Sequence, residues 1–281
     1  MRKTTHRWTR LASAKWEDAW QERLRFLGPH ATAFITWPDS RALKIEAYCD
    51  ARTAADLVKN FGGRATKISP TVWSGVITAP RAPLSIRGKL KIFSDTESWK
   101  SWGDRRPRGL LIPSGMAFGT GEHATTASCL RMLCDELPRL PENFSAADLG
   151  CGSGILALAA KALGAGAVEA IDNDPAAIRT SKENARLNQL RGLNIRRASV
   201  LDWTPALHPD IVLANLYSEL LMAAAPLISA ALVPGSPLVF SGVLNRQARE
   251  VTASLEKNHL SIERIVRRGK WCAGLARRVS H

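Results

Sequence analysis

Apolar positions follow two different rhythms along the chain. In the first seventy residues Trp16, Ala19, Trp20, Leu24 and Leu27 recur at helical spacing, and short strand-like runs flank them: residues 7–12, "ATAFITW", "ALKIEAY" and "RATKIS". A second helical stretch covers residues 51–61, so the order reads βαββαβ, the split ferredoxin-like pattern of a small α+β domain over residues 1–70. Residues 71–108 carry dense proline and tryptophan punctuation and no clear period apart from the strand-like "LKIF", and read as an interdomain connector. From residue 109 onward the rhythm changes. Helical stretches at 125–137, 155–163, 175–188, 216–228 and 247–257 alternate with apolar runs at 146–149, 167–171, 194–200, 210–214 and 237–241, followed by a terminal strand pair. Such alternation predicts a doubly wound parallel sheet, a Rossmann-like α/β domain over 109–281, with its ligand at the carboxyl ends of the strands.

The first strand of that domain runs straight into "DLGCGSG". Gly150, Gly152 and Gly154 allow a sharp turn and close backbone approach to a ligand, and the following helix presents its N-terminus there. Asp172 ends the next strand, where a carboxylate can accept from both hydroxyls of a ribose. Together they describe an adenosine-type cofactor. Gly152, Gly154 and Ala157 also satisfy a loose dinucleotide fingerprint, but Asp148 inside the loop would repel a pyrophosphate. S-adenosylmethionine, with an ammonium, a sulfonium and no phosphate, tolerates that acid, and Asp148 is a candidate to hold the ammonium of its methionine moiety, directly or through water. The plainer role for Asp148 is to cap the turn.

Two further stretches border the same strand ends. "PSGMAFGTGEHATT" is a second glycine-rich turn leading into a helix, and from it Phe118, Thr125 and Thr126 are candidates to cover the methionine end of the cofactor. Glu122 and His123 read as solvated first-turn residues; they lack the additional, regularly spaced ligands of a metal site, and no metal is expected. Asn215 closes the fourth strand before "LYSELL". Its carboxamide can orient a neutral amine toward a sulfonium methyl, although an Asn there can equally cap the next helix.

Composition narrows the setting. The formal net charge of +14 gathers at the N-terminus, at "RRPR" and near the C-terminus, which fits contact with RNA or an RNA-rich particle as well as simple solubility. Five cysteines, none in C-x-x-C spacing, suggest neither a disulfide framework nor zinc, and point to a reducing, cytoplasmic setting. The first fifteen residues lack the apolar stretch of a secretory signal. The uncharged run over 220–240 resembles a membrane span, but Pro226, Pro234, Gly235 and Pro237 divide it into helix, turn and strand, so no membrane association is expected.

Taken together, "GMAFGTGEHATT", "DLGCGSGILALAA", "AIDNDPAAI" and "VLANLYSELL…AALVPG" resemble the bacterial PrmA family. The resemblance is nearly continuous over residues 112–243 and extends weakly to "GKWCAGLARR". It implies a class I methyltransferase domain behind a small ferredoxin-like substrate-recognition domain. It also implies S-adenosylmethionine as methyl donor and, as substrate, the large-subunit ribosomal protein numbered eleven, modified on lysine side chains and its N-terminal amine. By motif position the cofactor contacts fall on Thr126, Gly150, Asp172 and Asn215. The sequence departs from the family at Pro113 and Ser114, which stand where an acid and a proline are usual, and in residues 1–70, which carry little recognisable identity. Two other readings compete. One is a ribosomal RNA base amino-group methyltransferase, with Tyr217 as stacking platform; the other is a non-catalytic ribosome-binding module, against which the intact loop, acid and Asn215 weigh. The sequence leaves the oligomeric state open.

Overall fold

The computed structural model describes residues 6–27, 31–36, 42–68, 83–113, 123–205 and 208–280, with backbone alone at 15, 18, 19, 22 and 25. The chain divides into two units, 1–79 and 80–281.

The first unit holds β1 (His6–Ser13), α1 (Glu17–Arg23), β2 (Thr32–Thr36), β3 (Ala42–Cys49), α2 (Ala51–Phe61) and β4 (Arg64–Lys67). The strands form an antiparallel sheet in the order β2-β3-β1-β4, as a split βαββαβ topology requires. Alternate residues of β1 and β3 point to the helices, so Trp8, Leu43, Ile45 and Ala47 are buried with Trp20 and Leu24 of the α1 segment and Leu57 of α2. The Asp50 carboxylate accepts from the Thr53 amide to start α2, and Gly62, at φ 66°, ends it. The opposite sheet face carries a polar cluster. Glu46, 5% exposed, accepts from the Tyr48 hydroxyl (2.6 Å) and pairs with Lys44 (2.7 Å) and Arg7 (4.0 Å).

The second unit corrects the expected connector. Residues 84–111 fold as β5 (Leu84–Ile86), β6 (Leu90–Phe93), α3 (Thr96–Trp102) and β7 (Arg108–Leu111), with sheet order β5-β6-β7. Ile86, Leu90, Ile92 and Leu110 enter the main core of this unit, and on the other face α3 lays Trp102 against Phe93. Gly109 makes room for that packing: a Cβ there would lie 2.9 Å from Phe93 and 3.0 Å from Trp102.

The rest of the unit comprises α4 (Ala124–Glu136), β8 (Ser145–Leu149), α5 (Ile155–Ala162), β9 (Ala167–Asp172), α6 (Pro175–Leu187), β10 (Leu193–Arg197), β11 (Ile211–Asn215), α7 (Ser218–Ala231), β12 (Pro237–Leu244), α8 (Ala248–Lys257), β13 (Leu260–Arg268) and β14 (Trp271–Arg278). Seven strands pair in the order β10-β9-β8-β11-β12-β14-β13, parallel through β12 and antiparallel at β14 and β13. The direction of winding reverses between β8 and β11, so their carboxyl ends flank the crevice where doubly wound folds bind ligands. Asn188, just past α6, ties the small sheet to this domain: its side chain accepts from the Leu111 amide and donates to the Leu111 carbonyl, both at 2.7 Å. Pro226 does not end α7, which runs on to Ala231. No helix among the described residues is long and apolar enough to cross a membrane, and all five cysteines are buried thiols.

Candidate active site

At the carboxyl end of β8 the backbone turns through three glycines at positive φ: Gly150 (70°), Gly152 (54°) and Gly154 (80°). The loop is held almost entirely by hydrogen bonds from the next βα unit. The amides of Gly150 and Cys151 both donate to the Ile171 carbonyl at 2.9 Å, the Ser181 hydroxyl donates to the Gly152 carbonyl, and Asn184 Nδ2 donates to the Ser153 carbonyl. Asp172, half-buried at the tip of β9, accepts from the Gly152 amide through Oδ2 and from the Asp174 amide through Oδ1, each at 2.9 Å. Each carboxylate oxygen has a second lone pair, so Asp172 braces the loop and keeps acceptor capacity for a ligand.

Asp148 lies directly beneath. It is 1% exposed, and its Oδ2 accepts from the Ala157 amide in the first turn of α5. That is the capping role, but it uses one oxygen only. Oδ1 is buried and has no hydrogen-bonding partner among the described residues. Burial pushes the carboxyl up to about 7; the Ala157 amide opposes that rise and the Asp172 charge adds to it. An ionised, half-satisfied carboxylate in this position is stabilised by a cation, and two neighbouring acids disfavour phosphate.

On the other side of the crevice Asn215 and Thr126 meet. Thr126 is buried in the first turn of α4, and its Oγ1 accepts from Asn215 Nδ2 at 3.3 Å. Asn215 does not cap α7: Tyr217 occupies that position, without a side-chain cap bond. Leu216, next in the chain, is wedged between two glycines. A Cβ at Gly150 would come within 2.5 Å of Leu216 Cδ2, and one at Gly242, φ 85°, within 2.3 Å of the Leu216 carbonyl oxygen. The Leu216 amide in turn donates to the Ser241 carbonyl at 3.0 Å.

His123 is not the solvated residue its sequence context suggests. It begins α4, its Nδ1 lies 2.7 Å from the Thr125 hydroxyl, and its ring meets Trp271 edge-on at 5.1 Å. Burial and the Lys270 charge lower its pKa, which keeps the imidazole neutral. Gly242, His123 and Trp271 therefore join the site although no local motif marks Gly242 or Trp271. Phe118 lies outside the described residues. Among the described residues no group of three or more His, Cys, Asp or Glu side chains is arranged to hold a metal ion.

Against known proteins, residues 43–279 match the family model described as "Ribosomal protein L11 methyltransferase (PrmA)". Ribosomal protein L11 methyltransferase of Bordetella parapertussis is 46% identical over 143 residues, 51% of this chain and 44% of that protein. The protein of the same name from Thiobacillus denitrificans is 36% identical over 225 residues, 77% of this chain and 73% of its own length. The ribosomal protein L11 methylase structure from Lactobacillus delbrueckii subsp. bulgaricus superposes with a TM-score of 0.60 at 27% identity, covering 71% of this chain and 100% of that one. The chain spans about half the length of the first curated relatives it matches. A family-model match over more than half of the sequence places the chain in the PrmA family.

Proposed function

We propose that this protein transfers a methyl group from S-adenosylmethionine to amino groups of ribosomal protein L11, on lysine side chains and on the N-terminal amine. The observation that carries the chemistry is the Asn215–Thr126 bond beside the glycine loop. It commits the amide nitrogen of Asn215 to Thr126 and leaves Oδ1 to accept an N–H from an incoming amine. The names of the relatives support the acceptor protein.

The residues fit the donor. Asp148 Oδ1, buried without a partner, suits a cationic group; Gly150, Gly152 and Gly154 leave the loop backbone bare; Asp172 retains lone pairs for ribose hydroxyls. When bound, S-adenosylmethionine supplies an electrophilic methyl on a positively charged sulfur that departs as a neutral thioether. The chain's own contribution is alignment rather than strong base catalysis. Asn215 Oδ1 holds one amine hydrogen so that the nitrogen lone pair faces into the crevice, and Thr126 fixes the rotation of the amide. The neutral His123 imidazole adds no positive charge to repel an ammonium on entry, and the amine sheds its proton to water before transfer.

Purified protein, labelled donor, recombinant L11 and ribosomal RNA in one reaction test the proposal. Label in L11, mapped by mass to lysines and the N-terminus, is the expected result. Label in RNA, or unchanged L11 mass although donor binds, overturns it.

A further inference from the structure

The small β5-β6-β7 sheet bears a cationic surface that methyl transfer does not use. A groove of about 730 Å³ runs between this sheet and the C-terminal ends of α4 and α5, with Lys89, Arg106 and Arg108 along one wall and Leu137 and Leu163 on the other. Because the N-terminus of α5 receives the glycine loop, its C-terminal end places the groove at the opposite edge of the domain. An eight-residue helix separates the two by about 12 Å.

Several arginines elsewhere in this unit are held by carboxylates. Arg87 pairs with Asp135, Arg139 with Glu136, Arg196 with Glu169, and Arg277 with both Glu136 and Glu263. Arg105, Arg106 and Arg108 are exposed, and none has a carboxylate partner among the described residues; the same is true of Lys100 nearby. Glu97 and Asp104 are the exposed acids of this subregion, and neither pairs with the four cations. Like charges held together without counter-charges oppose folding, and an anion brought from outside relieves that repulsion.

We propose that this groove and its arginine rim dock the phosphodiester backbone of RNA. A polyanion fits better than an acidic peptide. No aromatic side chain lines the groove, and its aliphatic wall, Leu137 and Leu163, is partly buried against the core, so a peptide finds no large exposed anchor there. The formal charge of +14 extends a field suited to a long anion. Base stacking is not offered: Trp102 lies under Lys91 Nζ at 3.8 Å and Arg105 at 5.8 Å, and its indole N–H donates to the Pro107 carbonyl. The contact is therefore with phosphates and blind to sequence. The choice of RNA over DNA rests on the ribosomal substrate proposed above; the charge argument stands apart from it.

Fluorescence anisotropy with the full chain and a labelled single-stranded RNA, across a range of salt and without methyl donor, tests the docking surface separately from methylation. Three neutralised phosphate contacts predict that the Arg105→Ala/Arg106→Ala/Arg108→Ala variant lowers the log–log salt slope by about 2. Binding at low salt should fall at least tenfold, with donor affinity in a titration unchanged. The corresponding triple Lys variant keeps the charge and should keep the slope, which separates lost charge from lost fold. No RNA binding by the unaltered protein, an unchanged slope in the alanine variant, or equal competition by polyglutamate of matched charge overturns the proposal, the last in favour of an acidic peptide.

Discussion

The four-stranded and the seven-stranded sheet each bury a carboxylate, and they treat it in opposite ways. In the four-stranded sheet burial pushes Glu46 up, but hydrogen bonds from Lys44 and Tyr48 and the charges of Lys44 and Arg7 outweigh it and hold the pKa below its ordinary value. At the carboxyl end of the seven-stranded sheet Asp148 receives one backbone amide, leaves one oxygen unpaired, and is pushed up to about 7. Both groups are nearly inaccessible. One has its partners supplied by the fold, and the other keeps an oxygen that no described residue partners, which the proposed function assigns to the donor. A satisfied buried charge marks architecture, whereas a half-satisfied one beside a glycine turn marks a binding site.

Removing site residues should impair chemistry or binding while leaving the fold intact, and removing Glu46 should do the reverse. The largest effect is expected from Asn215→Ala, which frees the amine to rotate. Turnover should drop by about 100-fold with a much smaller change in donor affinity, as read from steady-state rates and a binding titration; equal losses in both make Asn215 a cofactor ligand only. Asp172→Ala is expected to weaken donor binding by about 1–3 kcal/mol through lost hydrogen bonds to a charged acceptor. It also strips the Gly152 amide of its partner, and calorimetry showing full affinity refutes the assignment. Asp148→Asn pulls in two directions. Because the pKa of Asp148 is raised in the fold, the ligand-free protein loses stability as pH climbs from the ordinary carboxylate range to about 7, and loses no more above it. The Asn variant escapes that loss, so its unfolding midpoint should exceed the wild type's at pH 8, while its donor affinity no longer rises with pH through 7. A lower midpoint at pH 8 breaks the contrast with Glu46. The smallest effect is expected from Glu46→Gln, about 1 kcal/mol of stability. Because the folded pKa of Glu46 is depressed, its contribution is present at neutral pH and disappears on acidification, so the two proteins should converge in thermal melts at low pH.

What could be read in advance was whatever a strand end and its next few residues encode. Gly150, Gly152, Gly154, Asp172 and Asn215 sit where a doubly wound sheet delivers its crevice, and spacing alone orders them around it. Of the β5-β6-β7 sheet only "LKIF", which is β6, was legible; β5 and β7 are three and four residues long, too short for a period to emerge. Its attachment also depends on Asn188, which no nearby residue announces. His123 gave the appearance of a solvated residue because its packing partner, Trp271, comes from the last strand of the sheet. Gly242 acquires meaning only when Leu216 is seen against it. Pro226 did not mislead: the helix expected over 216–228 runs through it as α7.

The wedging of Leu216 between Gly150 and Gly242 also constrains how this member of the PrmA family can diversify. A side chain at either glycine displaces the leucine, and with it the neighbouring asparagine, so these positions can drift only in concert. Single substitutions beside the crevice are accommodated more readily further out, beginning with Tyr217, which is 61% exposed and meets no such steric limit.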